Sequence, residues 1–189
     1  MKVFDFDNTI YDGESTVDFL LFCIKDNKKL SIYLPSIIKA GILYKLNLLD
    51  VDSLSKTVEK INKGIMQSKE DKDRLVEAFW IKNSKKLKKE ILELVSKDDI
   101  IITSSPTILM DGIKDKLPVK DIIGSIYNLD KCELEFLCMG ENKVKAFLVK
   151  YPNQIIDEFY TDSKTDTPFM KLSKKSFWVK GKKIKQVDK

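Results

Sequence analysis

The residues able to do chemistry in this 189-residue chain fall into four short clusters. The first, VFDFDNTI, holds Asp5, Asp7 and Thr9. Residues two apart on an extended strand share a face, and a loop at the strand end can re-aim Asp7. The second, IIITSSP, sets Thr103, Ser104 and Ser105 between a β-branched run and Pro106. A hydroxyl and free backbone N–H groups at a helix start suit a phosphate oxygen. The third, GENK, offers Lys143 at the start of a helix. The fourth, YTDSKTD, offers Asp162 and Asp166, whose oxygens suit a hard cation. Each cluster alone also has a plain structural explanation: an acidic turn, a helix cap, a surface lysine and an Asp-rich turn.

The sequence contains no histidine. Ser-His-Asp and Cys-His catalysis, histidine metal sites and histidine bases are thereby excluded. Acid–base chemistry near neutral pH falls to carboxylates, lysines, cysteines or tyrosines. The cysteines, Cys23, Cys132 and Cys138, are odd in number and form no CxxC pair, a pattern that fits reduced thiols in a cytoplasm. KVFDF follows Met1 directly, without the pattern of a signal peptide. The most apolar region, Leu30 to Leu49, is broken by Pro35, Lys39 and Lys45, so no transmembrane helix is predicted. A cytoplasmic location is the expectation, with attachment to a membrane surface left open.

The elements that must position the clusters follow from periodicity. Residues 2–6 read as a short buried parallel strand ending in acids. Val17, Leu20, Leu21 and Ile24 recur at helical spacing, with Ser15 or Thr16 as cap. Leu30 to Leu49 predicts two short helices or a bent one, and Val51 to Ile65 and Asp71 to Val95 predict two more. Strands are predicted at Asp99–Thr103, with Pro106 opening a helix, at Asp121–Gly124 and at Ile155–Thr161. Ile126 to Met139 reads as a hairpin, Glu141 to Tyr151 as a helix, and Phe177 to Ile184 as a strand or hairpin. Strands alternating with helices around one helical insert imply an α/β parallel sheet with a helical cap.

In order and context, a strand-end DxDxT, a strand-end Thr, a Lys and a strand-end DSxxD resemble the four motifs of the haloacid dehalogenase superfamily. TSSP, GENK and YTDSKTDTPF are similar to its subfamily IB, which includes phosphoserine phosphatase-like and phosphatidylglycerophosphatase-like enzymes. The resemblance implies a Rossmann-like three-layer α/β core at residues 1–12 and 98–189, with a helical cap at 13–97 inserted between the first and second motifs. It implies Asp5 as nucleophile and Asp7 as the acid and then base. It further implies magnesium on the carboxylates of Asp5 and Asp162 and the backbone carbonyl of Asp7. Thr103, Ser104 and Lys143 would hold phosphate, with Thr9 and Asp166 in support. The second acid, Asp7, is absent from dehalogenases, which points to a phosphatase, with a phosphomutase as the alternative. Two departures stand out. Asn8 replaces a common Gly, and Asn tolerates left-handed backbone; Thr165 stands where phosphoserine phosphatases usually carry Asn.

The substrate is less legible. A small-molecule phosphate ester is the leading expectation. The apolar, lysine-interleaved LSIYLPSIIKAGILYKLNLL is either a packed cap face or a groove for a lipid or polyprenyl phosphate. Residues 171–189 carry eight lysines against one acid, so this tail holds +7 of a chain whose net charge is +5. It reads as a solvated basic surface, with anionic lipid as the alternative. Aromatic–basic interleaving is confined mainly to SFWVKGKK, so no nucleic-acid partner is expected. Four intact motifs argue against a non-catalytic phosphate- or membrane-binding module.

Overall fold

The computed structural model describes residues 1–26, 28–45, 69–128, 131 and 133–187. A seven-stranded sheet runs in the order β4-β3-β2-β1-β5-β6-β7. Its strands are β1 (Lys2–Phe4), β2 (Ile100–Pro106), β3 (Asp121–Asn128), β4 (Glu133–Phe136), β5 (Ile156–Thr161), β6 (Ser173–Lys180) and β7 (Lys183–Val187). The five central strands are parallel, and β4 and β7 close the edges antiparallel.

Alternation along the strands builds the layers. Val3, Ile100, Ile102 and Phe159 enter one hydrophobic cluster; their neighbours Phe4, Ile101 and Tyr160 enter the other. Both faces of the sheet are therefore buried, as parallel strands require. On one face Phe4, Tyr160 and Phe177 occupy paired positions of β1, β5 and β6, with ring centroids 4.6 and 4.7 Å apart. That face receives α3 (Lys69–Asn83), whose Trp80 donates from Nε1 to Leu109 O at 2.7 Å, and α5 (Thr107–Asp111). The opposite face receives α6 (Glu141–Lys150) and α7 (Thr167–Met170) through Phe147 and Phe169. This is the expected three-layer α/β core. Cys23 and Cys138 are buried, one in each cluster.

Between β1 and β2 the described elements are all helical: α1 (Ser15–Asp26), a 3-10 stretch at Lys28–Tyr33, α2 (Leu34–Lys45), α3 and α4 (Lys89–Leu92). The predicted helix at Val51–Ile65 lies outside the described residues. The predicted helix from Asp71 to Val95 is instead broken: α3 ends at Asn83, a 3-10 turn covers Ser84–Lys86, and the chain is extended at Leu87 and Lys88 before α4. Leu87 pairs there with Tyr11, a tertiary contact that helical periodicity does not report. Among the described residues, no helix is long and apolar enough to cross a membrane.

Strand β2 also runs further than predicted. Ile102 pairs with Ile123 and Pro106 with Ser125, so four steps on β2 match two on β3, and Thr103–Ser105 bulge between them. Gly124 makes room for this: a Cβ there would lie 2.6 Å from the carbonyl oxygen of Ser105. Because the opposing atom is backbone, it cannot swing aside. Gly124→Ala is expected to destabilise the protein by about 1–3 kcal/mol, seen as a lower urea midpoint at unchanged m-value.

Candidate active site

Strand β1 carries its pairing one residue past Phe4, as the Asp5 amide donates to Tyr160 O at 2.8 Å. The backbone then closes a turn in which Phe6 O accepts from the amides of Thr9, Ile10 and Tyr11 at 3.3, 2.8 and 2.9 Å. Asn8 sits at its apex with φ 54°, the one non-glycine residue at positive φ among the described residues. Asparagine accepts this left-handed conformation at low cost, as the sequence reading anticipated.

Helix α6 delivers Lys143 to the end of β1. The chain enters it through Gly140 at φ 54°, and Lys143 lies in the first turn with its side chain inward, only 3% exposed. Its Nζ donates to Asp5 Oδ1 at 2.8 Å and to Asp166 Oδ2 at 2.9 Å. Asp166 is fully buried in the 3-10 turn Lys164–Asp166 after β5 and also accepts from Thr161 Oγ1 at 2.7 Å. Burial opposes the charge on Lys143, but Asp166 and Asp5 outweigh it and hold the ammonium well above the ordinary lysine range. Burial pushes Asp5 well upward; Lys143 pulls it back, while Asp166 and Asp162 add to the rise.

Asp7 is held from the other side. Its Oδ1 accepts the Ser15 amide at 2.6 Å, so the carboxylate itself caps the start of α1. Its Oδ2 accepts from Ser105 Oγ at 2.7 Å. The hydroxyls of Ser15 and Thr16, predicted to cap α1, meet Ser105 Oγ instead, at 2.8 and 2.9 Å. Burial raises the Asp7 carboxyl, and the hydrogen bonds from Ser15 and Ser105 offset only part of that rise.

The remaining predicted residues take these places. Thr103 is fully buried, and its Oγ1 accepts the Ser105 amide at 3.0 Å. Ser104 is half-buried, with its carbonyl accepting from Ser125 Oγ at 2.7 Å. Both lie in the β2 bulge, not at a helix N-terminus, because pairing with β3 extends to Pro106. Thr9 Oγ1 is buried with no hydrogen-bond partner among the described residues. Asp162 follows β5 half-buried, its carboxyl raised to about 6 by burial and by Asp166. The fold thus joins Asp5, Lys143 and Asp166 directly, sets Asp7 and Asp162 around them, and links Thr103 through Ser105. Ser105 was legible within TSSP, but its partner Asp7 was not. Ser15 and Thr16 were marked only as helix caps, not as partners of Ser105, and no sequence signal marked Lys88.

Among the described residues, no three His, Cys, Asp or Glu side chains cluster at metal-holding spacing. The donor set implied by the resemblance uses two carboxylates and a backbone carbonyl, so it does not need such a cluster. Lys143 is paired with Asp5 and Asp166, and burial is the largest cause of the upward shifts of Asp5 and Asp162, to which neighbouring carboxylates add. An all-oxygen donor set with surplus negative charge suits a hard divalent cation.

The raised Asp162 carboxyl has a measurable consequence. Asp162 rises from the ordinary 3.8 to about 6. The folded state therefore binds the extra proton between those values, and the stability it confers is lost as pH rises through about 6. In chelator at neutral pH, Asp162→Asn is expected to be more stable than the unsubstituted protein by about 1–2 kcal/mol. The gain should vanish near pH 4, checked by urea unfolding across that range.

Comparisons with known proteins agree with this architecture. A protein with unknown function from Bordetella pertussis Tohama I superposes at TM-score 0.74 over 90% of this chain and 85% of its own, at 14% identity. A phosphoserine phosphohydrolase-like protein from Francisella tularensis superposes at TM-score 0.65 over 93% and 86%, at 21% identity. A HAD family hydrolase from Salmonella enterica serovar Typhi gives TM-score 0.55 over 90% and 59%, at 11% identity. At these identities the likeness shows the fold. No curated protein matches the sequence. A family model matches residues 3–171, a span that runs from β1 past Asp166. The chain belongs to the haloacid dehalogenase-like hydrolase family.

Proposed function

We propose that this hydrolase is a magnesium-dependent phosphatase that cleaves a phosphate ester through an aspartyl-phosphate on Asp5, most simply that of a small metabolite. One observation carries the reading. Lys143 holds Asp5 by Oδ1, while Asp5 Oδ2 accepts no hydrogen bond among the described residues and is the oxygen left to attack. Asp7, raised by burial, stands beside it as a proton donor.

In the first step an oxygen of Asp5 bonds to phosphorus as the bond to the leaving oxygen breaks, and Asp7 delivers its proton to that oxygen. In the second, Asp7 takes a proton from water, whose oxygen attacks phosphorus and releases Asp5 and inorganic phosphate. Lys143 offsets charge on the phosphoryl oxygens, with Thr103 and Ser104 at the bulge completing their cradle. Asp5, Asp162 and the Asp7 carbonyl would hold the magnesium ion, which supplies the positive charge that lets an anionic nucleophile approach an anionic phosphate. Asp166 holds Lys143 in place. The helices of residues 13–97 would act as the cap that selects the substrate.

A second reading, a lipid or polyprenyl phosphate substrate, draws on α2 and the stretch before it. Ile32 and Ile38 are 75% and 54% exposed, beside an open groove lined by Leu34, Pro35 and Leu43. A panel of soluble phosphate esters and a polyprenyl phosphate, assayed with magnesium, decides between the readings by the larger kcat/KM. On the preferred substrate, Asp5→Asn and chelator are each expected to lower turnover by at least about a thousandfold. Full activity in either case would refute the mechanism.

A further inference from the structure

Lys88 is a buried cation that this scheme does not use. It is 9% exposed, and burial draws its ammonium below the ordinary lysine range. It lies where the chain returns from the helices to the core. There residues 86–88 run antiparallel to residues 10–12: the Asp12 amide donates to Lys86 O at 2.9 Å, Leu87 bridges Tyr11, and the Lys88 amide donates to Ile10 O at 2.8 Å. Alternate side chains of such an extended segment share a side. Lys86 Nζ binds Asp18 Oδ2 at 2.7 Å, an oxygen that also accepts from Tyr11 OH at 2.8 Å. Lys88 Nζ, two residues on, donates to the carbonyl oxygen of Asn8.

Asn8 carries the left-handed backbone of the turn, and three hydrogen bonds fix its pose. Its amide donates to Gly13 O at 3.0 Å, and its Nδ2 to Glu14 Oε1 at 2.6 Å. Its carbonyl accepts from Lys88, the one member of the set that carries charge and comes from far along the sequence. Asn8 directly follows Asp7, so the pose of this residue sets the direction of the preceding peptide and of the Asp7 side chain. A hydrogen bond from an ammonium is about twice as strong as a neutral one, and no other acceptor among the described residues engages the Lys88 ammonium.

We propose that Lys88 is a positioning residue for the reaction: its ammonium clamps the carbonyl of Asn8 and so holds the Asp7–Thr9 turn in its reactive conformation. The inference rests on the phosphatase reading for its effect on catalysis, but not for its effect on the turn. A misplacement of about 1 Å at a reacting group costs on the order of a hundredfold in rate.

The test compares Lys88→Met, which keeps the apolar stem and removes the charge, with Lys88→Arg, which keeps the charge. Two readouts are taken on folded protein. One is amide hydrogen exchange across residues 5–13. The other is kcat and KM for p-nitrophenyl phosphate with magnesium. The proposal expects Lys88→Met to exchange the Thr9, Ile10 and Tyr11 amides at least about tenfold faster and to lose about 10- to 100-fold in kcat. KM should stay within about threefold, and Lys88→Arg should recover most of both losses. Unchanged exchange in Lys88→Met overturns the clamp. Faster exchange with unchanged kcat overturns its role in the reaction, and a loss confined to KM shows a substrate contact instead and also overturns it. If the unsubstituted protein hydrolyses no phosphate ester while Lys88→Met still loosens the turn, the clamp stands and the phosphatase reading falls.

Discussion

The ammonium of Lys143 sits between two buried carboxylates, 2.8 Å from Asp5 and 2.9 Å from Asp166. Each of the three groups would be costly to bury alone. Removing one partner from such a set typically costs about 3–5 kcal/mol, because an uncompensated charge is left inside. The triad joins the end of β1, the first turn of α6 and the 3-10 turn after β5 at one point. Those three places are the ones that the proposed reaction must keep in register. The same charge balance keeps Lys143 protonated and leaves Asp5 with one oxygen held and one open.

Around that point the fold supplies direction. Parallel strands place the ends of β1, β2 and β5 on one rim of the sheet, the general position of ligand sites in open α/β sheets. The alternation that sends Phe4 to one hydrophobic cluster and Val3 to the other fixes both faces of β1, so the position at which the strand stops decides where Asp5 lies. The bulge opposite Gly124 then turns Ser105 toward Asp7, and Asp7 in turn caps α1. The helical segment therefore begins on a candidate catalytic carboxylate, and it returns past the same turn at Lys88.

Asp5, Asp7, Asp162 and Asp166 each had a plain reading as turn acids, and they became legible as a site only through the order of the four motifs and the family resemblance it carries. Lys143 was visible only by its order among the motifs; its inward direction comes from the Gly140 turn and the packing of α6. Ser105 meets Asp7 across 98 positions and Ser15 across 90, and Lys88 reaches Asn8 across 80. These partners, separated by 80 residues or more, left no local trace. The break at Asn83 was hidden for a related reason. Residues 84–92 carry helix-forming lysines, but pairing with the turn at Tyr11 outweighs local propensity.

The central claim is that Asp5, and no other carboxylate, becomes phosphorylated. Borohydride reduction of enzyme quenched with acid during turnover, followed by peptide mass spectrometry, reads this directly, because an acyl phosphate is reduced to an alcohol. The account predicts conversion of Asp5 to homoserine, dependent on substrate and absent without it. Product formation with Asp5 unmodified under conditions that trap the intermediate, or conversion at Asp7, Asp162 or Asp166 instead, would contradict it.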